Sequence, residues 1–219
     1  MMADRPRLLD LFCGAGGAAM GYHRAGFDVV GVDVVPQPHY PFPFVLADAL
    51  TYPLDGFEAL HASPPCQDHS SLRSVSGERG IWWMLYATLH RFRADRRPWV
   101  IENVDRAQFP SDVWRVRLCG SAWGLPLRRH RWFASNVLLL APPCAHGPQG
   151  DRVIGVYGNG GSDRGGPRAD GTRPRGSKGS ADEARAVMGI DWMNRRELSQ
   201  AIPPMYTELV GSQLMGALV

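Results

Sequence analysis

A doubly wound α/β domain built on a mostly parallel sheet is the fold this sequence predicts. Two observations carry that expectation. Short apolar segments of strand length alternate with segments of helical character. The strands end on glycines, on acidic residues or on Pro-Pro-Cys, and in an open parallel sheet those carboxyl ends are where ligands bind.

Taken in order, Arg7 to Phe12 reads as a buried strand leading into the glycine-rich turn Cys13-Gly14-Ala15-Gly16-Gly17. Ala18 to Ala25 has helical character and stops at Gly26. Phe27 to Val32 is a second strand, closed by Asp33. Phe44 to Ala47 is a short third, closed by Asp48. Phe57 to Ala62 is a fourth, running into Pro64-Pro65-Cys66. Trp82 to Phe92 reads as a helix with an apolar face. Pro98 to Ile101 is a fifth strand, followed by Glu102-Asn103-Val104. Trp132 to Leu140 has strand character after the basic turn Arg128-Arg129-His130-Arg131. From about Cys144 to Asp182 glycine, proline, arginine and aspartate dominate. Only Arg152 to Tyr157 looks like a strand there, so the region reads as a loop-rich lobe. Ala181 to Gly189, Arg196 to Ile202 and Thr207 to Leu218 read as helices. The expected division is a main domain over 1–143, a short lobe over 144–182 and returning helices over 183–219.

The chain has 219 residues and is 44% hydrophobic, enough for one domain with a full core. No apolar run approaches the ~20 residues of a membrane span, and Met1 to Arg7 lacks the apolar core of a signal peptide. Cys13, Cys66, Cys119 and Cys144 are scattered, which points to a reducing cytoplasm. The net charge of +3 permits a nucleic-acid partner without requiring one.

Cys66 is the sharpest candidate. Two prolines fix the backbone before it, so the chain arrives extended and stiff at a thiol that faces a polar loop. Free cysteine is otherwise a small apolar core residue, and Cys13, Cys119 and Cys144 are read that way. Pro142-Pro143-Cys144 repeats the tripeptide but opens the loop-rich lobe, so it reads as a decoy. Cys144 with His146 resembles half a metal site. No second pair stands at suitable spacing, so no metal is expected. The glycine turn lets a ligand approach the backbone closely. An acidic residue roughly 20 positions on suits a ribose, and Asp33 fits. Asp48 can accept from an adenine amino group and Phe12 can stack on the base, so an adenosine-containing ligand follows. Glu102, after an apolar strand, can bind or protonate a ring nitrogen if burial raises its pKa. Arg129 and Arg131 can address an anionic group or a carbonyl oxygen.

Together these segments resemble the cytosine-C5 DNA methyltransferases. Asp10 to Gly17 is similar to that family's first motif, and Asp33 and Asp48 stand where acidic residues meet ribose and adenine. Pro64-Pro65-Cys66-Gln67 with Ser70 is similar to the catalytic loop, Glu102-Asn103-Val104 to the glutamate motif and Arg129-His130-Arg131 to the paired arginines. Glu183 to Met193 resembles the segment after the recognition region. Ala201-Ile202-Pro203-Pro204 resembles the last motif. Leu127 replaces a glutamine of the family pattern, and Ser199-Gln200 replaces Gly-Asn. The short lobe resembles compact phage and prophage members.

The resemblance implies a Rossmann-like fold, S-adenosyl-L-methionine as cofactor and double-stranded DNA as partner, with the chain acting as a cytoplasmic monomer. It implies Cys66 as nucleophile, with Glu102, Arg129 and Arg131 as the other catalytic groups. It places Phe12, Cys13, Gly14, Ala15, Gly16, Gly17, Asp33, Val34, Asp48, Ala49, Pro65, Gln200, Ala201 and Ile202 around the cofactor. Gln67, Ser70 and Arg73 fall on DNA, Gly77 and Gly80 at loop hinges. Arg164, Arg168, Arg173 and Arg175 of the lobe are candidates for phosphate or guanine contacts. The same chemistry on tRNA, a modified sulfonium donor, and a non-catalytic DNA-binding regulator stand as alternatives.

Overall fold

The computed structural model describes residues 5–65, 83–149, 153–157, 169 and 178–218. Its centre is a seven-stranded sheet in the order β3-β2-β1-β4-β5-β7-β6. The strands are β1 (Arg7–Leu11), β2 (Asp28–Asp33), β3 (Phe44–Leu46), β4 (Ala59–Ala62), β5 (Trp99–Val104), β6 (Trp114–Leu118) and β7 (Arg131–Ser135). The first five pair in parallel. β7 runs antiparallel between β5 and β6. The sheet is therefore doubly wound and mostly parallel, as expected.

Strand order reverses at β1. The chain winds outward through β2 and β3, then returns to lay β4 on the other side of β1. At such a reversal the crossovers leave in opposite directions and open a crevice above the carboxyl ends of the two strands.

Helices cover both faces, and the side-chain alternation of the strands decides which. Leu8, Val29, Val100 and Phe133 pack with Ala18, Ala19, Tyr22, Tyr206, Val210 and Leu214. Those residues belong to α1 (Gly17–Arg24) and α6 (Pro204–Gly216). On the opposite face Leu9, Leu11, Leu60, Ala62 and Ile101 meet Leu85, Leu89 and Phe92 of α2 (Trp83–Arg93). A third cluster joins Leu127 and Val156 to α4 (Ala181–Met188) and α5 (Arg195–Gln200), through Ala184, Val187, Met188 and Leu198. The remaining helix, α3 (His146–Gln149), is a single turn. Among the described residues no helix is long and apolar enough to cross a membrane.

Three expectations are corrected. β6 was not foreseen, because Trp114, Arg115 and Arg117 are exposed and the segment lacks an apolar run. It is an edge strand, and its charged side chains discourage pairing with another chain. The strand expected over Arg152 to Tyr157 is reduced, among the described residues, to one bridge between Gly155 and Lys178. α6 begins at Pro204 rather than at Thr207, since the first helical position needs no N–H.

α1 and α6 approach closely because Gly21 has no side chain. A Cβ there would lie 2.1 Å from both Pro204 O and Thr207 Oγ1. Gly21→Val should lower stability by about 1–3 kcal/mol or more through overpacking. Gly216→Ala, at a position with open space around it, should be neutral or gain up to about 1 kcal/mol. Chemical denaturation of both variants checks this, and equal effects would contradict the packing described.

Candidate functional site

Several of the sequence-predicted residues lie around the crevice above β1 and β4, at the carboxyl ends of the parallel strands. After β1 the chain turns through Phe12, whose φ of 55° makes it the only non-glycine residue in the left-handed region among those described. A bulky side chain there is strained, and such strain gathers at ligand loops. Gly16, at φ 85°, caps α1, a conformation that glycine adopts without penalty. Asp33, at the end of β2, accepts from Gly14 N at 3.0 Å through one oxygen and from Val35 N at 3.0 Å through the other. The glycine turn and the second strand end thus form one cradle.

The C-terminal motif closes it. A Cβ on Gly17 would sit 2.5 Å from Ile202 O and 3.2 Å from Ala201 Cβ, so Ala201 and Ile202 lie directly against the start of α1. Ala15 O also receives the Trp192 indole N–H at 2.9 Å. Val34 and Asp48 are exposed, with Asp48 Oδ1 accepting from Leu50 N at 2.9 Å, while Ala49 is buried. Gln200 is exposed at the end of α5. Backbone amides at a turn, a carboxylate at a strand end and a lid from the distant chain suit an adenosine ligand with an extended tail. The Cys13 thiol is buried, and desolvation with the nearby Asp10 and Asp33 charges raises its pKa far above the ordinary value. It stays protonated and is no nucleophile.

β4 and β5 supply the other half. Their parallel register pairs Ala62 with Ile101, which carries Ser63 and Pro64 alongside Glu102 and Asn103. Asn103 Nδ2 donates to Pro64 O at 2.9 Å, so the glutamate strand holds the proline lead-in directly. Cys66, Gln67, Ser70, Arg73, Gly77 and Gly80 lie outside the described residues, as do Arg164, Arg168, Arg173 and Arg175. Pro65 is described and exposed.

Glu102 is 6% exposed. Its Oε1 lies 2.9 Å from Arg131 Nε, yet that oxygen has no aligned hydrogen-bond donor. Burial raises the Glu102 pKa, while Arg131, His61, Arg129 and a Ser63 hydrogen bond pull it back in part. The two arginines go separate ways. Arg131 also donates to His130 O at 2.8 Å, whereas Arg129 is buried and donates to Val156 O and Ser199 O, each at 2.8 Å. Arg129 thus staples the turn before β7 to the 153–157 segment and α5. Leu127 is buried in the third apolar cluster.

One pairing went unnoticed in the sequence, although Asp10 opens the first motif. Asp10 and His61 are register partners on β1 and β4, both fully buried, with His61 Nδ1 2.7 Å from Asp10 Oδ1. Tyr40 O–H reaches Asp10 at 3.5 Å, and Ser63 Oγ reaches His61 Nε2 at 3.5 Å. A polar chain therefore runs from Asp10 through His61 to Ser63. A histidine inside the apolar segment Ala-Leu-His-Ala was the available signal. Cys144 and His146 are corrected as well: Cys119 and His130 stand with them in one cluster, the pair that spacing alone did not reveal.

Glu102→Gln tests the buried carboxyl. Below the unfolded-state pKa of about 4.3 the group is protonated in both states. As pH rises through the elevated folded value, the native state binds the extra proton and its stability falls. The parent's thermal midpoint should therefore drop relative to that of Glu102→Gln across this window, followed by calorimetry. A pH-independent difference would contradict the elevated carboxyl.

No family model matches the chain, and no curated protein matches it. Solved structures do. A protein described as a DNA modification methyltransferase encoded within an E. coli prophage superposes with a TM-score of 0.62 at 14% identity, covering 97% of this chain and 99% of that one. The S. pombe Dnmt2 methyltransferase gives a TM-score of 0.63 at 13% identity, covering 98% and 99%. The Entamoeba histolytica methyltransferase EhMeth gives 0.59 at 11%, covering 99% and 100%. With identities this low the likeness is one of fold, and over nearly its whole length the chain has the Rossmann-like fold of these methyltransferases.

Proposed function

We propose that this chain is a DNA (cytosine-5) methyltransferase that uses S-adenosyl-L-methionine. The observation that carries the proposal is the buried Glu102 with Arg131 beside it. Glu102 shares strand β5 with Asn103, which grips the proline lead-in to Cys66. A buried carboxyl on the strand that holds the proline lead-in to Cys66 suits a pyrimidine whose ring nitrogen must be protonated while the adjacent carbon is attacked. The main domain over 1–143 would carry this chemistry, the lobe over 144–182 would read DNA, and the helices over 183–219 would complete the cofactor cradle.

The Phe12 to Gly17 turn, Asp33 and the Ala201-Ile202 lid would hold the cofactor. When bound, it supplies an electrophilic methyl group. The Cys66 thiolate adds to C6 of a cytosine rotated out of the duplex, forming a C–S bond. Glu102 donates its proton toward N3 as negative charge develops there, which its elevated pKa favours. Arg131 holds O2, and C5 thereby becomes the nucleophilic carbon of an enamine. C5 would take the methyl group as the sulfonium's S–CH3 bond breaks and leaves a neutral thioether. The C5 proton would then pass to water, its electron pair re-forming the C5–C6 double bond as the C–S bond breaks to free the Cys66 thiolate, and the N3 proton would return to Glu102. Arg129 acts through position, fixing the turn that presents Arg131. Gln67, Ser70 and Arg73 would close over the extruded base.

Cys66→Ser should reduce 5-methylcytosine formation to background and abolish covalent trapping by 5-fluorocytosine DNA, with cofactor binding intact in calorimetric titration. Product at parental levels would overturn the assignment. Glu102→Gln should cost about 10²–10⁴-fold in kcat. Asn103→Ala, which frees the Pro64 carbonyl, should cost about 5–10-fold, the worth of one hydrogen bond. Single-turnover assays measure both. Bisulfite mapping of DNA from expressing cells, with mass spectrometry of nucleosides from DNA and tRNA, identifies the acceptor. Methylcytosine confined to tRNA would replace DNA as substrate.

A further inference from the structure

One cluster is used by none of this chemistry. Cys119 follows β6, His130 precedes β7, and Cys144 and His146 lie on the chain as it leaves the sheet. Their four donor atoms all fall within 4.8 Å of one another. His146 Nε2 is 3.4 Å from Cys119 Sγ, and His130 Nε2 is 3.5 Å from Cys144 Sγ. A tetrahedral zinc with Zn–S near ~2.3 Å and Zn–N near ~2.0–2.1 Å has sulfur–nitrogen edges of about 3.6 Å. The observed separations are close to those edges.

We propose that Cys119, His130, Cys144 and His146 bind one structural zinc ion. Two thiolates and two imidazoles are the donor set and geometry that zinc prefers. Two negative thiolates also balance its charge. Four protein ligands leave no open position, so the role is structural. The surroundings fit as well. Ser121 O–H donates to Cys119 Sγ at 3.2 Å and in turn accepts from Ala145 N at 3.1 Å. His130 Nδ1, the nitrogen facing away from the thiol, is 3.9 Å from Asp105 Oδ2. That separation is too long for a hydrogen bond, so Asp105 contributes a nearby negative charge rather than a bond.

The position gives the ion its consequence. It would join the sheet, at β6 and β7, to the root of the 144–182 segment. It would also immobilise His130 between Arg129 and Arg131. The lobe proposed to read DNA would then stand on a fixed base, although the metal site itself does not depend on that reading. The rival arrangement is metal-free, with two thiols hydrogen-bonded to two neutral imidazoles.

The test uses the full chain, free of affinity tags and purified under reducing conditions after zinc supplementation. Mass spectrometry of the metal content should give about one zinc per chain. Cys119→Ser and Cys144→Ser should each lose most of it, and Cys66→Ser should keep it. Replacement by cobalt should give the intense visible bands of a tetrahedral site with sulfur-to-metal charge transfer. His146→Cys should raise that charge-transfer intensity by about half, as two thiolates become three. A strong chelator should lower the thermal midpoint of the parent but not of the cysteine variants. Protein that takes up no zinc, zinc retained in both serine variants, an octahedral cobalt spectrum or a Cys119–Cys144 disulfide would each overturn the proposal. If the serine variants do not fold, the His146→Cys cobalt spectrum decides alone.

Discussion

Everything at the functional edge depends on the seam between β1 and β4, and that seam is held by Asp10 and His61. The two are side by side in register and fully buried. A carboxylate and an imidazole in such a place are tolerable only because each answers the other, with further contacts from Tyr40 and Ser63. Removing one partner of such a buried pair typically costs about 3–5 kcal/mol, since the other stays uncompensated. The seam is also the point of strand reversal. The same pair that joins the two halves of the sheet therefore fixes the spacing between the glycine turn and the proline lead-in.

The other half of the candidate site, around Glu102, rests on register in the same way. Parallel pairing of β4 and β5 brings Pro64 to Asn103, and antiparallel pairing of β5 and β7 brings Arg131 to Glu102. Neither contact needs a loop to find its geometry. Rigid strands set both, which is how a site keeps reactive groups within a fraction of an ångström of their working positions. The ion pair between Glu102 and Arg131 is incomplete as a hydrogen bond. Glu102 Oε1 thus retains capacity for an aligned hydrogen bond.

Much of this was legible in the sequence. Apolar runs ending on glycine, an acidic residue or Pro-Pro-Cys marked the five parallel strands, and with them the residues at their carboxyl ends. The antiparallel strand pair at the edge was half hidden, because β6 exposes tryptophan and arginine and carries no apolar period. Asp10 with His61 was invisible for another reason. The pairing spans 51 positions, and only the register reveals it. The cluster of Cys119, His130, Cys144 and His146 escaped for the same cause: its members come from two strand ends, a loop and the start of α3, so short spacing marks only the Cys144–His146 half. Each arginine was noticed, but their divergence was not, since contacts with Val156 O and Ser199 O depend on the third apolar cluster.

The sheet order also sets a constraint on assembly. β7 lies between β5 and β6, so those two strands are not paired with each other in the native sheet. Until residues 131–135 are made, the outer edge of β5, with its buried Val100 and Ile101, has no partner and can accept a foreign strand. The opposite end of the chain has a similar debt, because the α1 face of the sheet waits for α6, nearly two hundred residues away, to cover it. Folding is thus governed by late, long-range closures. The edge beside the glutamate is the last part of the sheet to be sealed, and the time for which it stands open is a hazard the finished structure no longer displays.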